Sequence, residues 1–377
     1  MASPSSGRAS HPVRLPASSG AVGNAAAATV LRDARVGVVD ALRGIASLAV
    51  CWYHFVYADH AFLGTSLVSI LLRLSAQDAW MGVDVFFVIS GFVIPFALYR
   101  ARYSIGSFWT FLARRLLRLD PPYLVSALLC LALWFIWAAV PHLHGPSFDP
   151  KITPLLLHIG YLNAFFGQQW LNPVYWTLAI EFQYYVAMGV VFGLLAGGWR
   201  GRWAVFVAMA VLALAFPETS LLFHYLFVFM LGMATFQYFA GIIGRRTFGI
   251  LLALLTAGTA ITLGLVVAAL ALVTALLIAF VRRDIRPLVW LGTISYSLYL
   301  IHVPVGGRIL GFGLAHVHSG PARVAVLALS LILTIAAAGA FYRLVERPAQ
   351  RWSKSVRYRR EAPAAAEMPV MTGIAEP

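Results

Sequence analysis

Arg43 and His54 stand eleven residues apart in the first long apolar stretch of a 377-residue chain. At about 100° and about 1.5 Å per residue, eleven steps make about three helical turns, so both side chains share one face about 16 Å apart. Ionisable groups inside hydrocarbon cost several kcal/mol unless they face a protein interior, so this stripe is where chemistry is expected. Two carboxylates follow in apolar surroundings: Asp84, in a run from Gly82 through Ser90 and Gly91, and Glu181, between Trp176 and Tyr185. A histidine with a carboxylate to orient it is a general-base arrangement; the plainer alternative is an ion pair that ties helices together. Further along, Arg114, Arg115 and Arg118 precede Pro121-Pro122-Tyr123. Arginine forks suit phosphate geometry, although basic loops also serve as topology signals and lipid-headgroup contacts. A polar seam runs through Ser295, Tyr296, Ser297, Tyr299 and His302. The expected sets are therefore His54, Asp84 and Glu181 for catalysis, and Arg43, Arg115, Arg118, Ser90, Tyr296 and His302 for substrate. No metal site is expected, since His142/His144 and His316/His318 are spaced i, i+2 without a carboxylate framework.

Membrane helices must position these groups. Hydrophobic residues make up 61% of the chain and charged ones 11%, and apolar runs recur at lengths that match the ~20 residues needed to cross a bilayer. The reading is an all-α polytopic protein with ten spans, at about 37–57, 80–99, 122–141, 173–196, 202–216, 221–240, 247–262, 264–281, 288–312 and 323–345. With the N-terminus inside, 23 of the 28 Lys and Arg residues fall on the cytoplasmic side, four fall outside, and Arg43 lies in the first span. Letting the short apolar stretch 153–168 cross would move every basic cluster after it outside, which the positive-inside rule opposes. That stretch is expected on the outer face or as a re-entrant segment, and both termini are expected in the cytoplasm. Positive charge in loops also accounts for the net charge of +14, so no nucleic-acid partner is inferred. Residues 1–35 and 351–377 have the composition of disordered tails around a membrane domain at 36–350. Cys51 and Cys130 read as buried small hydrophobes. The 26 Arg to 2 Lys bias is associated with GC-rich bacterial genomes, which makes the inner (plasma) membrane the expected location. On this topology His54 lies about 26 Å up an outward-running helix, and Asp84 and Glu181 reach a similar height.

The ordered motifs resemble the acyltransferase-3 family of integral membrane acyltransferases. They are Asp40-Ala-Leu-Arg43 with His54, Gly82-Val-Asp84 through Ser90-Gly91, Arg115-x-x-Arg118, Trp176-Thr177 with Glu181, Ser295 through His302, and Glu346-Arg347-Pro348. The last of these reads as a helix stop with a local ion pair. The resemblance covers about residues 37–350. It implies transfer of an acyl group, usually acetyl, from cytoplasmic acyl-CoA to a hydroxyl on a glycan, a lipid-linked sugar or another acceptor, with no permanently bound cofactor. Membrane lipids are the remaining expected partner. In this resemblance His54 is the essential histidine and Arg43 its partner, while Arg115 and Arg118 belong to the CoA side. Thr177 stands where serine is usual, and Asp120 where an aromatic residue often follows. His54 then either deprotonates the acceptor hydroxyl or carries the acyl group itself. The alternative class is a transporter or flippase that uses the buried His, Asp, Glu and Arg residues as a pathway.

Overall fold

The computed structural model describes residues 37–57, 66–139, 152–281 and 285–358, and every regular element among them is helical. The tail 1–35, most of the tail 351–377, and His142 and His144 lie outside the described residues. The helices are α1 (Gly37–Val56), α2 (Leu67–Ala76), α3 (Gly82–Arg100), α4 (Phe108–Ala139), α5 (Ile152–Leu157), α6 (Trp176–Ala196), α7 (Trp199–Ala215), α8 (Leu226–Phe239), α9 (Arg245–Leu263) and α10 (Leu265–Phe280). Then come α11 (Arg286–Thr293), α12 (Ser295–Ile301), α13 (Arg308–Ala315), α14 (Gly320–Phe341) and α15 (Arg347–Ser355). π-helical turns at His302–Gly307 and Tyr342–Glu346 join α12 to α13 and α14 to α15.

Seven helical segments among the described residues are long and apolar enough to cross a membrane, and α10 is apolar but shorter. α1 has 20 residues but carries Asp40, Arg43 and His54, which lower its apolarity. It is nevertheless central, packing on α3, α11 and α12. Its contact with α11 is close because Gly44 and Gly292 face each other, and a Cβ on Gly292 would overlap the Asp40 carbonyl. The boundary inside 247–281 is sharp: Gly264, at φ +90° and ψ 163°, separates α9 from α10 in a conformation open to glycine.

Four expectations change, and the one that 153–168 does not cross agrees with the structure. The arginine-rich loop is helical, since α4 runs 32 residues through Pro121 and Pro122. Two missing N–H groups do not end a helix whose neighbours can re-satisfy the freed backbone. The stretch 153–168 contains no helix longer than the six residues of α5; its remainder is two short 3-10 turns, so it does not cross as a helix. The expected ninth span is interrupted at Ile294 and again by the π turn at His302. The last helix does not stop at Glu346: Pro348 sits in the first turn of α15, where its absent N–H is not needed. Residues 351–355, read as tail, are helical, and the Ser353 hydroxyl donates to the Arg114 carbonyl at 2.6 Å.

Candidate active site

The end of α1 and the start of the π turn bring two imidazoles together. His54 Nδ1 lies 3.2 Å from His302 Nε2, and the ring centroids are 4.9 Å apart. His302 is fully buried, and its Nδ1 lies 2.8 Å from the Tyr299 carbonyl and 3.1 Å from that of Leu298. Carbonyl oxygens only accept, so the hydrogen-bond network assigns the proton of neutral His302 to Nδ1 and leaves Nε2 as an acceptor. His54 Nδ1 faces that acceptor and also the Val50 carbonyl at 2.9 Å, so it too carries the proton. The lone pair of His54 is thereby left on Nε2, the atom free to act on a third party.

Proline opens the backbone at this point. Pro304 has no N–H to give the Leu300 carbonyl one turn earlier. That oxygen instead accepts from Asn172 Nδ2 at 2.9 Å and Ser126 Oγ at 3.1 Å. These bonds fasten α4 and the chain before α6 to the helix that carries His302.

Deeper in the bundle, Arg43, Arg115, Arg118, Glu181, Tyr296 and Tyr299 are among the residues that line a cleft with about 790 Å³ of space. Ser90 Oγ donates to Glu181 Oε1 at 2.8 Å, tying α3 to α6. Arg43 Nε donates to Ser295 Oγ at 3.4 Å, within electrostatic reach of Arg118, Glu346, Glu181 and Asp40. Thr177 and Tyr299 share a hydroxyl–hydroxyl bond of 2.7 Å, so threonine keeps the hydroxyl that serine would supply. The Tyr299 ring lies 5.9 Å from His302, which places the histidine pair one ring beyond this cleft. A second cleft, of about 1270 Å³, is lined by Arg100, Arg114, Arg115, Arg118, Lys354 and Tyr358 among others. Arg115 and Arg118 belong to both clefts, so the two adjoin at these side chains. Arg114 lies 5.0 Å over the Tyr358 ring, and burial pushes the Tyr358 hydroxyl above the ordinary tyrosine range, which keeps it a neutral donor.

Of the expected residues, Arg43, Ser90, Arg115, Arg118, Glu181 and Tyr296 line one cleft, and His54 meets His302. The Tyr296 hydroxyl donates to the Leu119 carbonyl at 2.9 Å. Asp84 is only 3% exposed, in the first turn of α3, where the helix N-terminus favours a carboxylate. Among the described residues neither Asp84 nor Glu181 hydrogen-bonds His54; the group held against it is another imidazole. Asp120, at the position where the motifs differ, accepts from the Tyr161 hydroxyl at 2.7 Å.

Sequence reading gave Glu346 a local ion pair, whereas the structure places it within electrostatic reach of Arg43. Its Oε2 takes both the Ser297 hydroxyl, at 2.5 Å, and the Ser297 N–H, at 3.2 Å, while Gln350 donates to its Oε1. Glu346 thus joins α12 to its own helix, with Gln350 as its local partner. A carboxylate at the end of an apolar run was the available signal. Lys354 and Tyr358 were hidden by their tail-like surroundings.

A polytopic helical bundle with clefts rich in arginine, a buried histidine pair and apolar spanning helices defines a multi-pass membrane protein with an internal site. A family model described as an acyltransferase domain, that of the acyltransferase-3 family, matches residues 36–343. The chain belongs to that family, and it is a membrane acyltransferase. No curated protein and no solved structure matches it.

Proposed function

We propose that the protein moves an acyl group, acetyl by the family's habit, from cytoplasmic acyl-CoA to a hydroxyl acceptor, with His54 as the base. The single observation that carries this reading is the pair of clefts sharing Arg115 and Arg118: a wide basic mouth adjoins a narrower interior that reaches Tyr299, one ring short of the histidine pair. The pyrophosphate and 3′-phosphate of CoA suit the basic mouth, and the thioester end would extend inward past Arg43.

In the step itself, the acceptor oxygen attacks the thioester carbonyl carbon while His54 Nε2 takes the hydroxyl proton. The tetrahedral intermediate collapses with loss of the C–S bond, and the imidazolium returns its proton to the departing thiolate. The products are an O-ester and free CoA thiol. Arg43, Tyr296 and Glu181 would position the donor arm, and Ser90 would hold Glu181 in place. His302 would keep His54 in the tautomer that the reaction needs, a role the sequence reading gave to a carboxylate. Asp84 is assigned to the α3 terminus and not to the transfer. The charge distribution supports ten spans with both termini in the cytoplasm, and the excess of Arg over Lys supports a bacterial inner membrane.

Purified protein given acyl-CoA and a cell-envelope extract tests this reading. Free thiol should appear at a rate proportional to the protein, together with esterified acceptor. The absence of thioester loss with any acyl-CoA would favour the transporter alternative.

A further inference from the structure

The interior cleft stops short of the base: neither His54 nor His302 is among its lining residues. Two helices agree that Tyr299 marks the end away from the arginines. Arg115 lies 5.6 Å over the Tyr185 ring, and Thr177, which bonds Tyr299, stands about 12 Å further along α6 at about 1.5 Å per residue. On α12, Tyr296 bonds the Leu119 carbonyl beside Arg118, and Tyr299 follows one turn later. The Tyr299 ring is held in place. Its hydroxyl donates to the Val174 carbonyl at 3.1 Å and shares the 2.7 Å bond with Thr177, and Phe86 meets it edge-on with centroids 5.8 Å apart. Its own carbonyl accepts from His302 Nδ1. Past His302, Val303 and Pro304 line a third cleft of about 860 Å³, together with Trp134, Trp170 and Arg308 among others. On α4, Arg118 belongs to the basic clefts and Trp134 to this one, about 24 Å apart at about 1.5 Å per residue. Exposed Gln169 borders the third cleft, and exposed Arg100 and Lys354 border the basic mouth, so water has access from both ends.

We infer that Tyr299 decides between transfer and hydrolysis: its ring keeps the thioester apart from His54 until an acceptor displaces it. This rests on the acyltransferase reading above and adds the residue that sets its selectivity for an alcohol over water. A base able to deprotonate an alcohol can also deprotonate water, and a pocket rejects a nucleophile smaller than the right one only weakly. A thioester held open beside His54 would therefore be spent. The water oxygen would attack the carbonyl carbon while His54 Nε2 took a proton; the C–S bond would break and the proton would pass to the thiolate. The products would be a carboxylic acid and free CoA thiol, with no acceptor modified. Keeping water from the reacting centre suppresses that loss. Tyr299 stands where such a barrier must be, between the end of the donor cleft and His302, and one residue both supplies the ring and holds the His302 proton through its carbonyl.

Acetyl-CoA labelled in the acetyl group, given to the detergent-purified full chain first alone and then with cell-envelope extract, tests the inference by separating free acetate from esterified acetyl. In Tyr299→Ala, acetate formed without extract should rise about 10- to 100-fold over wild type, a part of the ~10²–10⁴ that a positioned base supplies once water reaches the thioester. Tyr299→Phe keeps the ring but loses both hydroxyl bonds, and Thr177→Val loses one; both should fall between wild type and Tyr299→Ala. Adding His54→Gln to Tyr299→Ala should return acetate to the wild-type level, which a merely loosened fold would not do. Unchanged acetate in Tyr299→Ala, or a rise that survives His54→Gln, overturns the inference. If Tyr299→Ala does not fold, an unchanged ratio of acetate to ester in Thr177→Val overturns it instead. Wild type that esterifies no acetyl with extract, and loses no thioester, would sink the acyltransferase reading. Wild type that esterifies, beside a Tyr299→Ala variant that releases no extra acetate, would sink this inference alone.

Discussion

At the scale of single residues, the account turns on which nitrogen of His54 is bare. The two carbonyls behind His302 and the one behind His54 set both tautomers without help from a carboxylate. Replacing His302 by leucine removes one of two acceptors facing His54 Nδ1. The expected result is a fall in kcat of about 10- to 100-fold with little change in the KM for acyl-CoA, as for other groups that orient an acting side chain. His302→Gln, which can put an amide oxygen near the lost Nε2, should recover part of it; equal losses in both variants would reduce His302 to packing. His54 stood out in the sequence by its cost in an apolar helix. Its partner did not, because 248 residues separate the two rings and spacing says nothing across such a distance.

At the scale of elements, the site is made by interruptions in otherwise regular helices. The π turn starts at His302, and its proline frees the carbonyl that holds Asn172 and Ser126. The α1–α11 crossing, where Gly292 lies under Asp40, sets the position of Arg43 one turn away. Gly292→Val should push these helices apart and destabilise the fold by about 1–3 kcal/mol, seen as a lower thermal transition in detergent; an unchanged transition would show that the contact is loose. Most spans were readable from apolar length. The α4 start was not, since prolines and arginines resemble a loop, while the Tyr296 hydroxyl bonds the Leu119 carbonyl of this stretch from α12. α15 was missed because its polar residues end the hydropathic signal while Ser353 still docks on Arg114.

At the scale of the whole molecule, three clefts follow one another along α4 and α12–α13, from the arginines to the tryptophans. On the proposed acyl-CoA reading, the arginine end would face the cytoplasm. Cysteines introduced at Arg200 or Ser355 should react with a membrane-impermeant maleimide only from the cytoplasmic side, and one at Ser319 only from outside. All three positions are exposed, and the native Cys51 and Cys130 are buried and should stay silent. Labelling of Ser319→Cys from the cytoplasm would reverse the proposed direction of transfer. The charge count favours the same orientation; the adjoining of the two basic clefts at Arg115 and Arg118 is a packing result that no single segment carries.

The central claim is that His54 takes the proton from the acceptor. Single-turnover transfer from labelled acyl-CoA to the native acceptor, compared between wild type and His54→Gln, tests it most directly. The account predicts a rate lower by about 10²- to 10⁴-fold, the contribution expected of a positioned base, in a variant that still binds acyl-CoA. A His54→Gln protein that transfers the acyl group at the wild-type rate would contradict it.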